Sequence, residues 1–137
     1  MELSVIVLHG GRWVIGLKPK HLGEKFMTRL ISRGCFTQDY AKALVTSPED
    51  REPAVKKLVE AAGAKLLNFY FTTGDTDFLL ITETDDPDSV IAALLAAAAA
   101  GTISNIKTSR AWTGREFKKV ADKASKVAGA YRAPGKK

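Results

Sequence analysis

The chain has 137 residues and is 45% hydrophobic, which is enough apolar material for one domain with a single core. One cysteine excludes an intrachain disulfide, and two histidines leave little material for a soft metal site, so we expect no structural zinc site. The formal charge of +6 is spread unevenly: residues 1–26 carry +2, residues 27–114 carry −2, and residues 115–137 carry +6. The predicted core is therefore slightly acidic, and the basic excess lies near the C-terminus.

No stretch of the sequence predicts a membrane span or a signal peptide. The longest apolar run, Val90–Ala100, is about half of the roughly 20 residues that a membrane-spanning helix needs. Glu2 stands where a leader would be basic, and the sequence His9–Arg12 interrupts the apolar segment that a leader requires. We therefore expect a cytoplasmic protein that does not bind a membrane.

Residues 1–26 predict an N-terminal extension to the domain. Two short apolar runs, Val5–Leu8 and Trp13–Leu17, flank a Gly10-Gly11 pair, a pattern that is typical of a β-hairpin. The residues that follow show no periodicity. A hairpin and a poorly ordered leader are therefore both consistent with this segment.

The predicted core begins with a strand and two helices. Thr28–Phe36 is rich in bulky residues that suit a β-strand, and Thr37 is placed to cap a short helix after it. Ser47 followed by Pro48 indicates a second helix start. Pro53 lies inside this second pattern, where it removes a backbone donor, so we expect either a kink or a restart of the helix there.

The next stretch predicts a hairpin that is apolar on both faces. Strands over Ala64–Thr73 and Asp77–Glu83 flank a turn at Gly74-Asp75-Thr76. A sheet with one solvated face alternates apolar and polar residues, so this doubling predicts that both faces are covered. Strict alternation divides the first strand into Leu66, Asn68, Tyr70 and Thr72 on one face and Leu67, Phe69, Phe71 and Thr73 on the other.

Three further elements complete the predicted domain. Asp86 caps a helix that ends near Ala100, and the more polar stretch Thr102–Trp112 suits an edge strand. Thr113 and Glu116 then have the spacing of a capping box at the start of a final helix.

The order of elements predicts an α+β fold of the ferredoxin-like type. From residue 28 onward, the chain reads βαββαβ, which gives a four-stranded antiparallel sheet with an extra C-terminal helix. We divide the chain into an N-terminal extension (1–26), the ferredoxin-like domain (27–128) and a basic flexible tail (129–137).

The stretch Gly63–Asp77, which reads GAKLLNFYFTTGDTD, resembles the GYD domain family. The turn that gives the family its name appears here as Gly74-Asp75-Thr76-Asp77, with Thr76 in place of the tyrosine. The likeness extends from Met27 to Ser125. Supporting similarities are Ser47-Pro48, Arg110-Ala111-Trp112-Thr113 and Glu116-Phe117.

The resemblance implies an assembly state and a domain start more than an activity. GYD proteins are grouped with the dimeric α+β barrels, in which the sheets of two copies pack face to face, so it implies a homodimer or a higher homo-oligomer. They are mostly uncharacterised, and the wider superfamily includes monooxygenases, haem-handling proteins and small-ligand regulators. Family members open with a strand like the one at Met27, so we predict that residues 1–26 lie outside the family domain, through an upstream start codon.

Six residues are candidates for a site. Asn68, Tyr70, Arg110 and Trp112 are polar or amphipathic groups on otherwise apolar strands, which suits a pocket, although each can instead satisfy its hydrogen bonds at a dimer interface. Asp75 and Asp77 can serve in acid–base chemistry or bind a hard cation. Because Asp beside Gly is favoured in tight turns, we interpret these two as turn residues, together with Gly74 of the family motif.

No motif in the sequence defines a reaction, a cofactor or a metal site, so three functions are considered. The first is a homodimeric module that assembles through its sheets and binds a small apolar or aromatic ligand. The second is a cofactor-independent, monooxygenase-like enzyme that orients an aromatic substrate with the four pocket candidates. The third, nucleic-acid binding through the basic tail, ranks last because the tail's lysines also fit the solvated face of an amphipathic helix.

Overall fold

The computed structural model describes residues 27–137 and the backbone of two strands before them. These strands, β1 (Val5–His9) and β2 (Arg12–Gly16), pair antiparallel in a two-stranded sheet of their own. The predicted Gly10-Gly11 turn and the leader over residues 17–26 lie outside the described residues. The division of the chain at residue 26 stays a prediction.

The main sheet has four strands in the order β4-β5-β3-β6, and every neighbouring pair is antiparallel. This topology confirms the ferredoxin-like prediction. It also places β6 at an edge of the sheet, as the polarity of that strand indicated. The strands are β3 (Thr28–Phe36), β4 (Lys65–Phe71), β5 (Phe78–Thr84) and β6 (Ile103–Ala111).

Among the described residues, four helices accompany the main sheet, and a 3₁₀ helix at Ala128–Ala130 follows the last of them. Within the part of the chain that the structure describes, no helix combines the length and the apolar character needed to cross a membrane. The helices are α1 (Gln38–Thr46), α2 (Glu52–Ala61), α3 (Pro87–Ala99) and α4 (Gly114–Val127).

The boundary between α1 and α2 corrects one prediction and decides another. Ser47 does not start a helix; its backbone N–H donates to the carbonyl of Ala43 at 3.0 Å, so it ends α1. The second helix restarts at Glu52, and Pro53 lies in its first turn, where a missing N–H costs no helical hydrogen bond. The Asp50 carboxylate accepts from the Glu52 N–H at 3.0 Å and so satisfies one free donor of α2.

Helices α1 to α3 cover one face of the sheet, and the core lies between these two layers. Strand β5 shows the arrangement, because its residues alternate between fully buried side chains toward the helices and half-buried ones away from them. On the opposite face, no described residue of the sheet reaches full burial. The core consists of Leu30, Val59, Ala64, Phe78, Leu80, Val90 and Leu94.

A β-bulge in β4 overturns the alternation predicted for that strand. The register with β5 shifts between Leu66 and Asn68. Leu66 and Phe69 both pack against the core, while Asn68 and Tyr70 are exposed on the opposite face. The prediction that Leu66 shares a face with Asn68 and Tyr70 is therefore wrong, because the extra residue of the bulge reverses the side-chain direction.

Candidate ligand-binding site

An apolar cavity of about 130 Å³ lies between the helices and the sheet. Aromatic residues of the strands form its floor, and aliphatic residues of α2 and α3 form its roof. Such a lining follows from the fold, since both layers direct their apolar side chains into this space. The strand residues include Phe36, Phe69, Phe78 and Leu80; the helix residues include Val55, Leu58, Val59, Val90, Ala93, Leu94 and Ala97.

The aromatic floor is a set of rings in mutual contact. Phe36 stacks on Tyr40, with 4.6 Å between ring centroids, and lies 6.1 Å from the ring of Phe78. Gly34, on β3, makes room for Phe78: a Cβ added to Gly34 would lie 2.6 Å from the Phe78 Cζ atom. Because Gly34 has no side chain, the Phe78 ring can occupy this position, where it lines the cavity.

The cavity meets a second, more polar depression at one end. This depression has a volume of about 340 Å³ and is lined mainly by α1 and by the loop that leads to α2. Tyr40, Arg51 and Thr102 line both spaces, so they form the border between them. Asp39 and Glu49 line only the polar depression.

Arg51 is the charged group at this border. One of its terminal nitrogens, Nη1, donates a hydrogen bond to Oε1 of Glu49, and its guanidinium carbon lies 5.7 Å from the centroid of the Tyr40 ring. Hydrogen bonding to Glu49, and then to Tyr40, raises the pKa of Arg51, so the side chain remains a cation at any physiological pH. Its Nε atom is buried and has no hydrogen-bond partner among the described residues.

This arrangement can hold an amphipathic small molecule. The inner space offers aromatic and aliphatic contacts, and the border offers the permanent cation of Arg51. Within the described residues, no group of three or more His, Cys, Asp or Glu side chains is placed to hold a metal ion.

Two of the four predicted pocket residues lie on the open face of the sheet, by which we mean the face opposite the helices. Asn68 and Tyr70 stand on the edge strand β4, and the Asn68 Nδ2 atom donates to the Tyr70 hydroxyl at 3.2 Å. Tyr70 is 54% exposed. Neither residue lines the cavity.

The other two lie at the opposite edge of the sheet, on or just after β6. The guanidinium carbon of Arg110 lies 4.9 Å from the centroid of the Trp112 ring, and Trp112 contacts the edge of Phe117 on α4. The structure thus groups the candidates into two separate pairs and does not bring all four together within the chain. For this reason the monooxygenase-like alternative is not favoured.

The Gly74–Asp77 turn ties three strands together. Gly74 has a φ of 99°, a left-handed conformation that suits glycine. The Asp77 carboxylate accepts from the Phe36 N–H at 2.9 Å, and the Asp77 N–H donates to the carbonyl of Gly34 at 2.8 Å. Asp75 is exposed at the tip of the turn. Asp77 therefore has a structural role beneath the aromatic floor of the cavity.

Sequence reasoning missed the residues at the cavity border. Tyr40, Arg51 and Thr102 are not among the site candidates that the sequence predicts. The one available signal was an arginine within the acidic, proline-flanked segment Ser47–Pro53, where a lone cation has several carboxylate neighbours. Sequence alone does not show which side chain of that segment points inward.

Fold and site together define a ferredoxin-like α+β domain with an apolar cavity between its helices and its sheet. Comparison with protein-family models matches residues 31–121, more than half of the chain, to the GYD domain. The chain therefore belongs to the GYD domain family, within the dimeric α+β barrel superfamily, which confirms the resemblance found in the sequence. No curated protein and no solved structure matched the chain in the corresponding searches.

Proposed function

We propose that this GYD-family protein is a homodimeric module that binds a small apolar or aromatic ligand in the cavity between its helices and its sheet. The observation that carries the proposal is the cavity itself, whose lining is mainly apolar, with the polar residues Tyr40, Arg51 and Thr102 at one end. Ligand pockets commonly combine such an apolar lining with a few polar groups that fix orientation.

The volume of the cavity limits the ligand to about one ring. In another protein, an apolar cavity of about 150 Å³ stays dry and binds benzene or xenon. The cavity of about 130 Å³ found here is slightly smaller. A benzene-sized group, or a short branched alkyl group, therefore matches the volume of the cavity.

A cavity-filling pair of variants tests ligand binding. Ala97 lines the cavity, whereas its neighbour Ala96 is exposed on the same helix. Ala97→Leu should abolish binding of toluene, because the larger side chain occupies the space; Ala96→Leu should leave binding unchanged. A ligand at a free concentration of a hundred times its dissociation constant adds about 2.7 kcal/mol to the free energy of unfolding. A thermal-shift measurement detects this change.

Two outcomes of this experiment would contradict ligand binding in the cavity. If toluene and other single-ring compounds leave both the melting temperature and the NMR signals of the cavity residues unchanged, the cavity is not a ligand site. Equal loss of binding in Ala97→Leu and Ala96→Leu would place the ligand elsewhere on the protein.

The open face of the sheet supports the homodimer. Ile31 lies directly opposite Ile81 in the β3–β5 pairing, and Leu79 lies opposite Tyr70 in the β4–β5 pairing. These four side chains make a continuous apolar strip that no described element buries. A second copy, related by a two-fold axis, presents the same strip and can cover it.

Helix α4 supports the same partner. Its apolar side is exposed: Phe117 is 50% exposed and Val127 is 66% exposed. Glu116, in the first turn of α4, accepts a hydrogen bond at 3.1 Å from Arg29, which lies opposite Glu83 on the open face. Because α4 starts at the rim of the open face, a second copy on that face would also reach the helix.

Sedimentation velocity of matched variants tests the dimer. Ile81→Asp places a charge in the centre of the strip and should shift the protein from dimer to monomer at micromolar concentration. Val45→Asp is the control, since Val45 is 79% exposed on α1, in the layer that covers the other face. A wild-type protein that sediments as a monomer would refute the assembly proposal and leave the cavity proposal standing.

A further inference from the structure

We propose that Arg51 binds the carboxylate of a small aromatic acid whose ring occupies the cavity. This inference rests on the proposed ligand-binding function and adds the chemical class of the ligand.

The terminal N–H groups of Arg51 are the first reason for a carboxylate. A guanidinium carries five N–H groups, and only Nη1 has a hydrogen bond to a carboxylate within the described residues, that of Glu49. Nε is buried, whereas the side chain as a whole is 31% exposed, so a ligand meets the terminal nitrogens rather than Nε. A ligand carboxylate accepts a charge-assisted hydrogen bond from these terminal N–H groups, a contact that favours arginine at carboxylate sites.

The position of Arg51 is the second reason. Together with Tyr40 and Thr102, it separates the apolar cavity from the polar depression. A molecule whose ring fills the inner space therefore leaves its polar group at this border. Burial of the ring supplies apolar contact, and the cation at the border favours a ligand whose polar group is negatively charged.

The charges around the depression limit the ligand to a single negative charge. Asp39 and Glu49 both line this space, and Arg51 is the one cation among its lining residues. A phosphate or a dicarboxylate would add strong repulsion with both side chains. A monocarboxylate can instead share Arg51 with Glu49 or replace it.

The experiment titrates the full chain with three probes of the same ring size: benzoate, toluene and benzylamine. Binding is followed by NMR shifts of the cavity residues for four proteins: wild type, Arg51→Gln, Lys57→Gln and Glu49→Gln. Lys57 is exposed on α2 and lines neither the cavity nor the polar depression, so its substitution removes one positive charge away from the site. Circular dichroism confirms that each variant is folded.

We expect wild-type protein to bind benzoate at least about tenfold more tightly than toluene, as one charge-assisted hydrogen bond suffices to produce. Arg51→Gln removes this preference and keeps the affinity for toluene, while Lys57→Gln changes neither. Glu49→Gln strengthens benzoate binding several-fold, because it removes the competing carboxylate, and leaves toluene unaffected.

Each contrary result has a distinct meaning. Toluene binding without a preference for benzoate overturns the role of Arg51 and leaves the cavity function intact. Tighter binding of benzylamine than of benzoate would show that the carboxylates of Asp39 and Glu49 determine the charge preference. That result also overturns the role of Arg51. Absence of binding by all three probes overturns both proposals. If Arg51→Gln does not fold, Glu49→Gln decides, and unchanged or weaker benzoate binding counts against the inference.

Discussion

Two threonines on β5 provide a matched test of how a buried hydroxyl group affects the stability of the fold. Thr82 and Thr84 are both fully buried, at 0% exposure, on the helix side of the sheet. The Thr84 hydroxyl donates to the carbonyl of Asp86 and accepts from the Asp86 N–H, both at 3.0 Å. The Thr82 hydroxyl has no hydrogen-bond partner among the described residues. Replacement by valine, which has nearly the same shape, should therefore act in opposite directions at the two positions.

The expected changes in the free energy of unfolding follow from the cost of burying a polar group without a hydrogen bond. An unsatisfied buried hydroxyl costs about 1–3 kcal/mol, so Thr82→Val should raise the free energy of unfolding by about 1–2 kcal/mol. Thr84→Val removes two hydrogen bonds and leaves the Asp86 N–H without an acceptor at the start of α3. That variant should lower the free energy of unfolding by about 1–3 kcal/mol.

Urea denaturation at one fixed protein concentration measures both effects, since stability depends on concentration if the protein is a dimer. With an m-value of about 2 kcal/mol per molar urea, the midpoint should rise by roughly 0.5–1 M for Thr82→Val and fall by roughly 0.5–1.5 M for Thr84→Val. A destabilised Thr82→Val would refute the reasoning, because it would mean that the hydroxyl has a partner such as an ordered water. Equal shifts in the two variants would refute it as well.

Two further predictions concern the cavity floor and the start of α4. Gly34→Ala should lower the free energy of unfolding by about 1–3 kcal/mol through contact with Phe78. Gly129→Ala, at a site with nothing within 4 Å, should be nearly neutral, and equal urea midpoints would contradict the prediction. The pKa of Glu116 is lowered, first by the Thr113 N–H and also by Arg29. Its contribution to α4 is therefore present at neutral pH and lost as pH falls through the lowered pKa. The NMR chemical shift of the Thr113 amide should change with pH, with a midpoint below the pKa of ordinary glutamates. The same shift should not titrate in Glu116→Gln.

The local elements of this protein follow from its sequence. Thr37 accepts from the Tyr40 N–H, and Thr113 and Glu116 form the capping box, as their spacing predicted. These contacts join residues three positions apart, so neighbours in the chain suffice to predict them. The order of strands and helices, and with it the ferredoxin-like fold and the family, likewise follows from local patterns of turn residues and apolar spacing.

The candidate site depends on tertiary structure instead. Strand order places Asn68 and Arg110 at opposite edges of the sheet, although both have the polar character expected of pocket residues. The bulge in β4 turns Leu66 into the core against the simple alternation of its strand. Arg51 becomes the cation of the cavity because the restart of α2 and the packing of α1 bring it beside Tyr40. Each of these outcomes is set by contacts between segments distant in the chain, whereas caps and turns are set by neighbours.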